Sequence, residues 1–195
     1  MGYALSVFLV PSSDILRVPG IPDTDLLDRL LIDVMPDLVS LDEQLCDAGD
    51  EDDITHEQAF RELFSGNVSA PEYGARYGWA FEKLCQSIGT YLPNNCFSPC
   101  KFEWYDQLDR FLATTDIELR FSQLVYNCPV EIPEPDDFPS IGHWTHEQIA
   151  AAAPMITKVA DSAQDETIGE ALSVVSEWLK QGVEDSNSMI IGFHG

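Results

Sequence analysis

Cysteine and histidine residues are the first candidates for chemistry, because a thiolate beside an imidazole is a nucleophilic pair and both groups bind zinc. Cys96 and Cys100 stand four residues apart, and either could meet His143 in the folded chain. No CxxC pair accompanies them, and Pro99 lies between them. His143 and His146 flank a predicted helix cap, so they do not share a helical face. Inert core cysteines are therefore favoured over a cysteine nucleophile, and no zinc site is predicted.

Two other common reaction classes lack their sequence signatures. The Gly-x-Ser-x-Gly elbow of serine hydrolases does not occur, and neither does a glycine-rich phosphate loop that ends in lysine. The sequence therefore predicts no catalytic residue and no cofactor.

A group of aromatic and acidic residues is the strongest candidate for a small-ligand site. Its members are Trp104, Tyr105, His143 and Trp144 with the carboxylates of Asp106, Asp136 and Asp137. Acidic side chains beside aromatic rings suit a cationic ligand, which the rings attract through their π faces. The competing interpretation is a set of core aromatics beside a solvated loop.

Acidic residues accumulate between Arg29 and Arg61, where no basic residue occurs. The candidate binding residues in this stretch are Asp47, Asp50, Glu51, Asp52 and Asp53. The stretch is either a solvated loop between helices or a docking surface for a basic protein. A calcium loop is disfavoured, because the order Asp-x-Asp-x-Asp-Gly is not reproduced.

Charge and composition limit the classes of partner. The 195 residues carry 34 acidic and 10 basic side chains, a formal charge of -24. This excess argues against direct binding to nucleic acid or to an anionic membrane, since both attract basic patches. Scarce lysine makes salt adaptation a further explanation of the acidity. The N-terminus lacks a basic segment, and no stretch has the roughly 20 apolar residues of a membrane helix, which predicts a cytoplasmic protein.

Helical periodicity is strongest in residues 73–95. The apolar residues on one face of this central helix are Tyr77, Ala80, Phe81, Leu84, Cys85 and Ile88, and Gly89 is predicted to end it in a left-handed conformation. The pentads Ile54–Gln58 and Trp144–Gln148 each place Thr three residues before Gln, which predicts two capping boxes. A helix that starts at Asp23 or Thr24 is predicted to end near Pro36. Pro154 is predicted to kink or divide the helix that follows the second pentad.

Three strands are predicted. Apolar runs indicate two of them, near residues 2–10 and 188–194, and apolar residues that alternate with polar ones, such as Ile117, Leu119 and Phe121, indicate the third near residues 117–126. A hydrophobic content of 45% is ample for one core, so residues 1–195 are predicted to form a single globular domain. The predicted fold class is α+β, a helix-rich domain with a small sheet formed from the N-terminal, middle and C-terminal strands. The central helix should pack on this sheet.

Several short motifs, in their order along the chain, resemble those of a family of small bacterial proteins, a domain of unknown function. They are Gly2–Val7, Tyr77–Ala80, Leu92–Asn94, Phe97–Pro99, Pro135–Pro139 and Gly142–Thr145. The resemblance covers nearly the whole chain and implies a bacterial cytosolic protein. It supplies no catalytic residues to carry over.

Two functions are expected from these features. The favoured one is a non-enzymatic acidic interaction protein of the bacterial cytosol, of the inhibitor or immunity type, that binds a basic partner protein. The alternative is a small-ligand-binding protein or an enzyme that uses the neighbourhood of Trp104, His143 and Trp144. The sequence does not predict an oligomeric state.

Overall fold

A four-stranded antiparallel sheet lies between two groups of helices in the computed structural model, which describes residues 3–20, 23–45 and 53–195. The strands are β1 (Leu5–Pro11), β2 (Thr90–Tyr91), β3 (Ser140–Trp144) and β4 (Ser188–His194). The helices are α1 (Ser12–Ile15), α2 (Thr24–Leu45), α3 (His56–Ser65), α4 (Gly74–Ile88), α5 (Phe102–Leu112), α6 (Gln123–Tyr126), α7 (His146–Ser162) and α8 (Glu166–Glu184), with short 3-10 turns at Pro71–Tyr73 and Asn95–Phe97.

The two terminal strands form the middle of the sheet, whose order is β2-β1-β4-β3. β1 and β4 pair along their full length, from Leu5 opposite His194 to Pro11 opposite Ser188. All seven residues of β4 are buried, because helices cover both faces of the sheet. The predicted α+β class, with a sheet built from N-terminal, middle and C-terminal strands, is confirmed.

The alternation of side chains along the strands divides the interior into two clusters. One sheet face packs against the second half of the chain, through residues that include Leu5, Val7, Trp144, Leu172, Trp178 and Ile190. The other face packs against α2, α3 and α4, through residues that include Phe8, Leu31, Phe60, Phe81, Ile191 and Phe193. Each helical layer therefore depends on the sheet for its buried face.

The central helix predicted from periodicity is α4. Phe81 is 0% exposed, and its ring meets that of Phe193 on β4 at a centroid distance of 5.7 Å. The prediction that this helix packs on the sheet is confirmed. Its end differs from the prediction, because Gly89 has an extended conformation with φ of -109°. Glycine is needed there for space, since a Cβ would lie 2.6 Å from Cγ1 of Val10.

The middle strand was predicted in the wrong place. Residues 117–126 contain α6 and no strand, while β3 occupies residues 140–144. Ile117, Leu119 and Phe121 are buried as their alternation indicates, but the segment pairs with no strand in the described chain. The carboxylate of Asp109 accepts hydrogen bonds from the backbone N–H groups of Phe121 and Ser122 instead.

Pro36, which was predicted to end a helix, and Pro154, which was predicted to kink or divide one, both lie inside continuous helices. α2 runs through Pro36 to Leu45, and α7 runs through Pro154. A proline removes one backbone hydrogen bond and crowds the preceding turn. In α2 the buried side chains of Leu31, Val34 and Leu38 continue on one face across the proline, so packing outweighs this cost.

The repeated pentads do begin helices, but only the second is a complete capping box. Thr145 accepts a hydrogen bond from the backbone N–H of Gln148, whose side chain accepts one from the backbone N–H of Thr145. Thr55 caps α3 in the same way, whereas the Gln58 amide donates to Glu62. α3 ends at Gly66, whose φ of 72° lies in the left-handed region that glycine adopts readily.

Two glycines allow α6 to approach the sheet closely. Gly142 on β3 lies opposite Gly192 on β4. A Cβ built on Gly142 would lie 2.0 Å from the carbonyl oxygen of Gln123, and one on Gly192 would lie 2.7 Å from that of Leu124. Backbone atoms cannot rotate away as a flexible side chain can.

We therefore expect Gly142→Ala to lower the free energy of unfolding by about 3 kcal/mol or more, at the upper end of overpacking costs. Gly169→Ala on α8 is the matched control, because its new Cβ would have its nearest contact at an ordinary 3.4 Å. The control should be neutral or stabilise by up to about 1 kcal/mol, since alanine favours a helix. Urea denaturation of both variants measures the difference, and similar midpoints would contradict the proposed close approach.

Candidate functional site

The aromatic residues proposed from the sequence as a ligand site are not gathered into one cavity. Trp104 on α5 lines a cavity of about 390 Å³ together with Cys96, Cys100 and Lys101. Its indole Nε1 is enclosed and has no hydrogen-bond partner within the described ranges. No aromatic contact joins Trp104 to His143 or Trp144 among the residues that the structure covers.

His143 and Trp144 are neighbours on β3 whose side chains point to opposite faces of the sheet. His143 is half-buried, and its Nδ1 lies 2.6 Å from the carbonyl oxygen of Asn127. Trp144 is fully buried, and its indole N–H donates to the carbonyl oxygen of Arg120 at 2.7 Å. Both side chains thus contact backbone carbonyl oxygens and stabilise the fold.

A buried group that the sequence did not reveal joins Cys100, Tyr105 and His194. The Tyr105 hydroxyl lies 2.8 Å from Nδ1 of His194 and 3.1 Å from Sγ of Cys100. Burial raises the pKa of the Cys100 thiol and lowers the pKa of His194. A nucleophilic pair requires the opposite shifts, a thiolate beside an imidazolium. Cys100 and Tyr105 were each singled out from the sequence with other partners, and the signal for His194 was only the apolar run before it.

The acidic stretch is described in part. Asp47, Asp50, Glu51 and Asp52 lie outside the described residues. Asp53 is described, and its carboxylate pairs with the guanidinium of Arg76 on α4. This contact ties Asp53 to the fold.

Arg76 belongs to a polar cluster with Asp42 and His56, in which Arg76 and His56 are buried and Asp42 is half-buried. Asp42 accepts hydrogen bonds from Nδ1 of His56 at 2.6 Å and from the His56 backbone N–H at 3.0 Å, and it lies 3.6 Å from Nη1 of Arg76. Burial lowers the pKa of His56, although the Asp42 carboxylate acts in the opposite direction. The imidazole is therefore neutral near pH 7, with its proton on Nδ1 and an acceptor at Nε2. The cluster connects the end of α2 to the starts of α3 and α4.

An exposed apolar face on α2 adjoins the acidic residues of the same helix. Ile32 is 75% exposed and Val39 is 48% exposed, and the spacing of seven residues places them on one side of the helix with Pro36 between them. We call Ile32, Pro36 and Val39 the α2 face. The carboxylates of Asp28, Asp33 and Glu43 are also exposed on this helix.

The acidic residues of α2 divide into two groups. Asp37 and Asp42 face other helices, where Asp37 lies 3.8 Å from Nζ of Lys83 and Asp42 joins the polar cluster. Asp25, Asp28, Asp33 and Glu43 are exposed, and within the described chain their carboxylates pair with no basic side chain. Their charge is therefore available to a partner.

Within residues 3–20, 23–45 and 53–195, no helix combines the length and apolar character needed to cross a bilayer. The same ranges contain no group of three or more His, Cys, Asp or Glu side chains placed to hold a metal ion.

Comparison with known proteins identifies a family and nothing closer. A search of curated proteins and a search of solved structures each found no match. The scan against protein families matches residues 1–194, nearly the whole chain, as the sequence motifs had indicated. The chain belongs to the family described as domain of unknown function DUF7691.

Proposed function

We propose that this chain is a non-enzymatic acidic interaction protein that binds a basic amphipathic helix of a partner protein through the α2 face. The observation that carries the proposal is the exposure of Ile32 and Val39 on a helix whose exposed charged residues are mainly acidic. An apolar stripe flanked by carboxylates complements a helix with apolar residues on one side and lysine or arginine beside them. The formal charge of -24 adds long-range attraction to such a partner.

The setting we propose is the bacterial cytosol, and an inhibitor or immunity role fits the charge. An acidic protein can occupy the basic active site of a nuclease or toxin, because its carboxylates take the place of phosphates. The α2 face adds apolar contacts to this electrostatic attraction, and such contacts persist when salt screens the charges.

The test uses a designed amphipathic peptide with leucine on one side and lysine on the other. We expect it to bind, with affinity that falls as salt concentration rises, while the same peptide with glutamate in place of lysine does not bind. The paired substitution Ile32→Gln and Val39→Gln should weaken binding about tenfold or more, since burial of each apolar side chain contributes about 1.5 kcal/mol or more. Isothermal titration calorimetry at two salt concentrations measures this loss.

The control pair is Leu16→Gln and Val183→Gln, two exposed apolar residues outside α2. These substitutions match the first pair in chemistry and should leave the affinity within about twofold, as expected for distant and independent sites. No loss in the first pair would mean that the peptide binds by charge alone, and equal losses in both pairs would mean apolar contact that is not specific to α2. Either result would remove the α2 face from the proposal.

A further inference from the structure

A cavity of about 450 Å³ opens beside the polar cluster of Asp42, His56 and Arg76. Its walls come from the end of α2, the start of α3, the first turns of α4, residues 136–138 before β3, and Gly195. The volume is typical of small-molecule sites, which occupy about 300–1,000 Å³. Trp104, His143 and Trp144 do not line this cavity.

The buried wall of the cavity contains an unused hydrogen-bond acceptor. His56 is 1% exposed, and its Nε2 has no hydrogen-bond partner in the part of the chain that the structure describes. Its Nδ1 proton is directed to Asp42, so Nε2 can only accept. A buried polar atom without a partner costs about 1–3 kcal/mol. Nε2 is itself enclosed, so His56 forms part of the wall, and the groups open to a ligand are those of the mouth and the aromatic rings.

The mouth of the cavity is acidic. Glu72, Asp136 and Asp137 are exposed and line it, and among the described residues none of them pairs with a basic side chain. Arg76 is the only basic side chain of the described lining, and its charge is matched by Asp53 and Asp42. The site therefore attracts cations and offers them carboxylate acceptors.

Aromatic rings form the apolar part of the wall. Tyr73, Trp79 and Phe138 are half-buried and line the cavity. The Phe138 ring is held by stacking on Tyr3 at a centroid distance of 4.3 Å, and Arg76 lies over the Tyr73 ring at 5.6 Å. Such rings bind both hydrocarbon and cationic groups.

We propose that this cavity is a binding site for an organic amine, in which an ammonium group meets the acidic mouth and its apolar stem packs on Tyr73, Trp79 and Phe138. The acceptors open to a ligand are the carboxylates of Glu72, Asp136 and Asp137, and they favour a ligand that brings donors. An ammonium group supplies three of them together with a positive charge. The proposal is independent of the α2 face, because Ile32, Pro36 and Val39 do not line the cavity.

The first experiment compares three ligands of one shape by isothermal titration calorimetry. The probe is 2-phenylethylamine, and the controls are 2-phenylethanol, which is neutral, and phenylacetate, which is an anion. We expect the amine to bind at least about tenfold more tightly than the alcohol, and the acid not to bind, as charge and cation–π attraction imply. Equal affinity for amine and alcohol, or no binding of the amine at millimolar concentration, would overturn the proposal.

The second experiment tests the location with paired variants. Asp136→Asn with Asp137→Asn should weaken binding of 2-phenylethylamine by about fivefold or more, while Glu103→Gln with Glu131→Gln should change it by less than about twofold. Trp79→Leu should also weaken binding by removing one ring. All four carboxylates are exposed, so the variants should fold, and thermal denaturation checks this. Undiminished binding in the first pair would place the amine elsewhere and refute the site.

A third measurement distinguishes a free amine from the side chain of a protein lysine. A short uncharged peptide with a single lysine is titrated in parallel with 2-phenylethylamine. Binding of the small amine alone assigns the cavity to a metabolite-sized ligand. Binding of the peptide, with the same loss in the Asp136 and Asp137 variant, assigns it to lysine on a protein, and binding of neither overturns the proposal.

Discussion

Replacing Phe81 with aspartate is expected to leave little folded protein. Phe81 is fully buried on α4 against Phe193 of β4, so the variant loses the burial of an aromatic ring and places a carboxylate in its position. Loss of a buried Phe costs about 3–5 kcal/mol, and desolvation of the new polar group adds to it. A total of about 4 kcal/mol or more is a large part of the roughly 5–15 kcal/mol that stabilises a typical domain. Far-UV circular dichroism and the soluble yield measure the outcome.

The control for this substitution is Phe81→Leu, which keeps an apolar side chain at the same position. We expect it to cost less than about 1.5 kcal/mol, because similar hydrophobic residues repack with modest loss. If the aspartate variant unfolds no more easily than the leucine variant, α4 is not packed on the sheet as described.

The second large effect is expected for Arg76→Met. The substitution keeps much of the side-chain volume but leaves Asp53 and Asp42 without the guanidinium beside them. Removal of one member of a fully buried ion pair costs about 3–5 kcal/mol, because the remaining charge stays desolvated. We expect the lower end of this range, because the side chains of Asp53 and Asp42 are 19% and 25% exposed. Urea denaturation at neutral pH measures this loss. Asp53→Asn in the Arg76→Met background should recover part of it, because the uncompensated charge on Asp53 is removed.

Arg61→Met provides the matched control for Arg76. Arg61 pairs with Glu57 one helical turn away, but both side chains are exposed, at 47% and 38%. An exposed pair of this kind contributes about 0–1 kcal/mol. Equal effects of the two substitutions would mean that the Arg76 cluster is solvated, contrary to the burial described.

Features that depend on neighbouring residues were predictable from the sequence. The apolar face of α4 and the helix caps at Thr55 and Thr145 each need only a few consecutive residues. The terminal strands were also identified, since their continuous apolar runs indicate burial on both faces. These local signals were sufficient for the α+β class.

Features that depend on distant residues were not predictable. Arg76 lies outside the apolar face predicted for its helix, yet it is buried, and Asp53, which lies 23 positions earlier in the chain, pairs with it there. The alternation at Ile117 and Leu119 was interpreted as a strand, yet Asp109 supplies hydrogen bonds to the backbone that follows. Burial alone does not show whether a segment pairs with a strand or with side chains.

The cavity beside His56 was also not predictable from the sequence. Its lining comes from five separate parts of the chain, and no sequence spacing brings them together. The sequence did associate Asp136 and Asp137 with aromatic residues, but it selected Trp104 and Trp144, whereas the structure brings Tyr73, Trp79 and Phe138 to these carboxylates. The sequence thus predicted that these carboxylates lie beside aromatic rings, but it did not identify which rings.

The pairing of β1 with β4 determines when this fold can form. Leu5 lies opposite His194, so the central contact of the sheet closes a loop that contains almost every other described element. Closing so long a loop is entropically costly, and contacts of this kind slow folding relative to proteins whose contacts are local. During synthesis the helices of both layers emerge before β4. Until β4 joins the sheet, the apolar faces of these helices stay exposed to solvent. The chain is therefore expected to depend on chaperones, or on slow elongation, more than its helical content suggests.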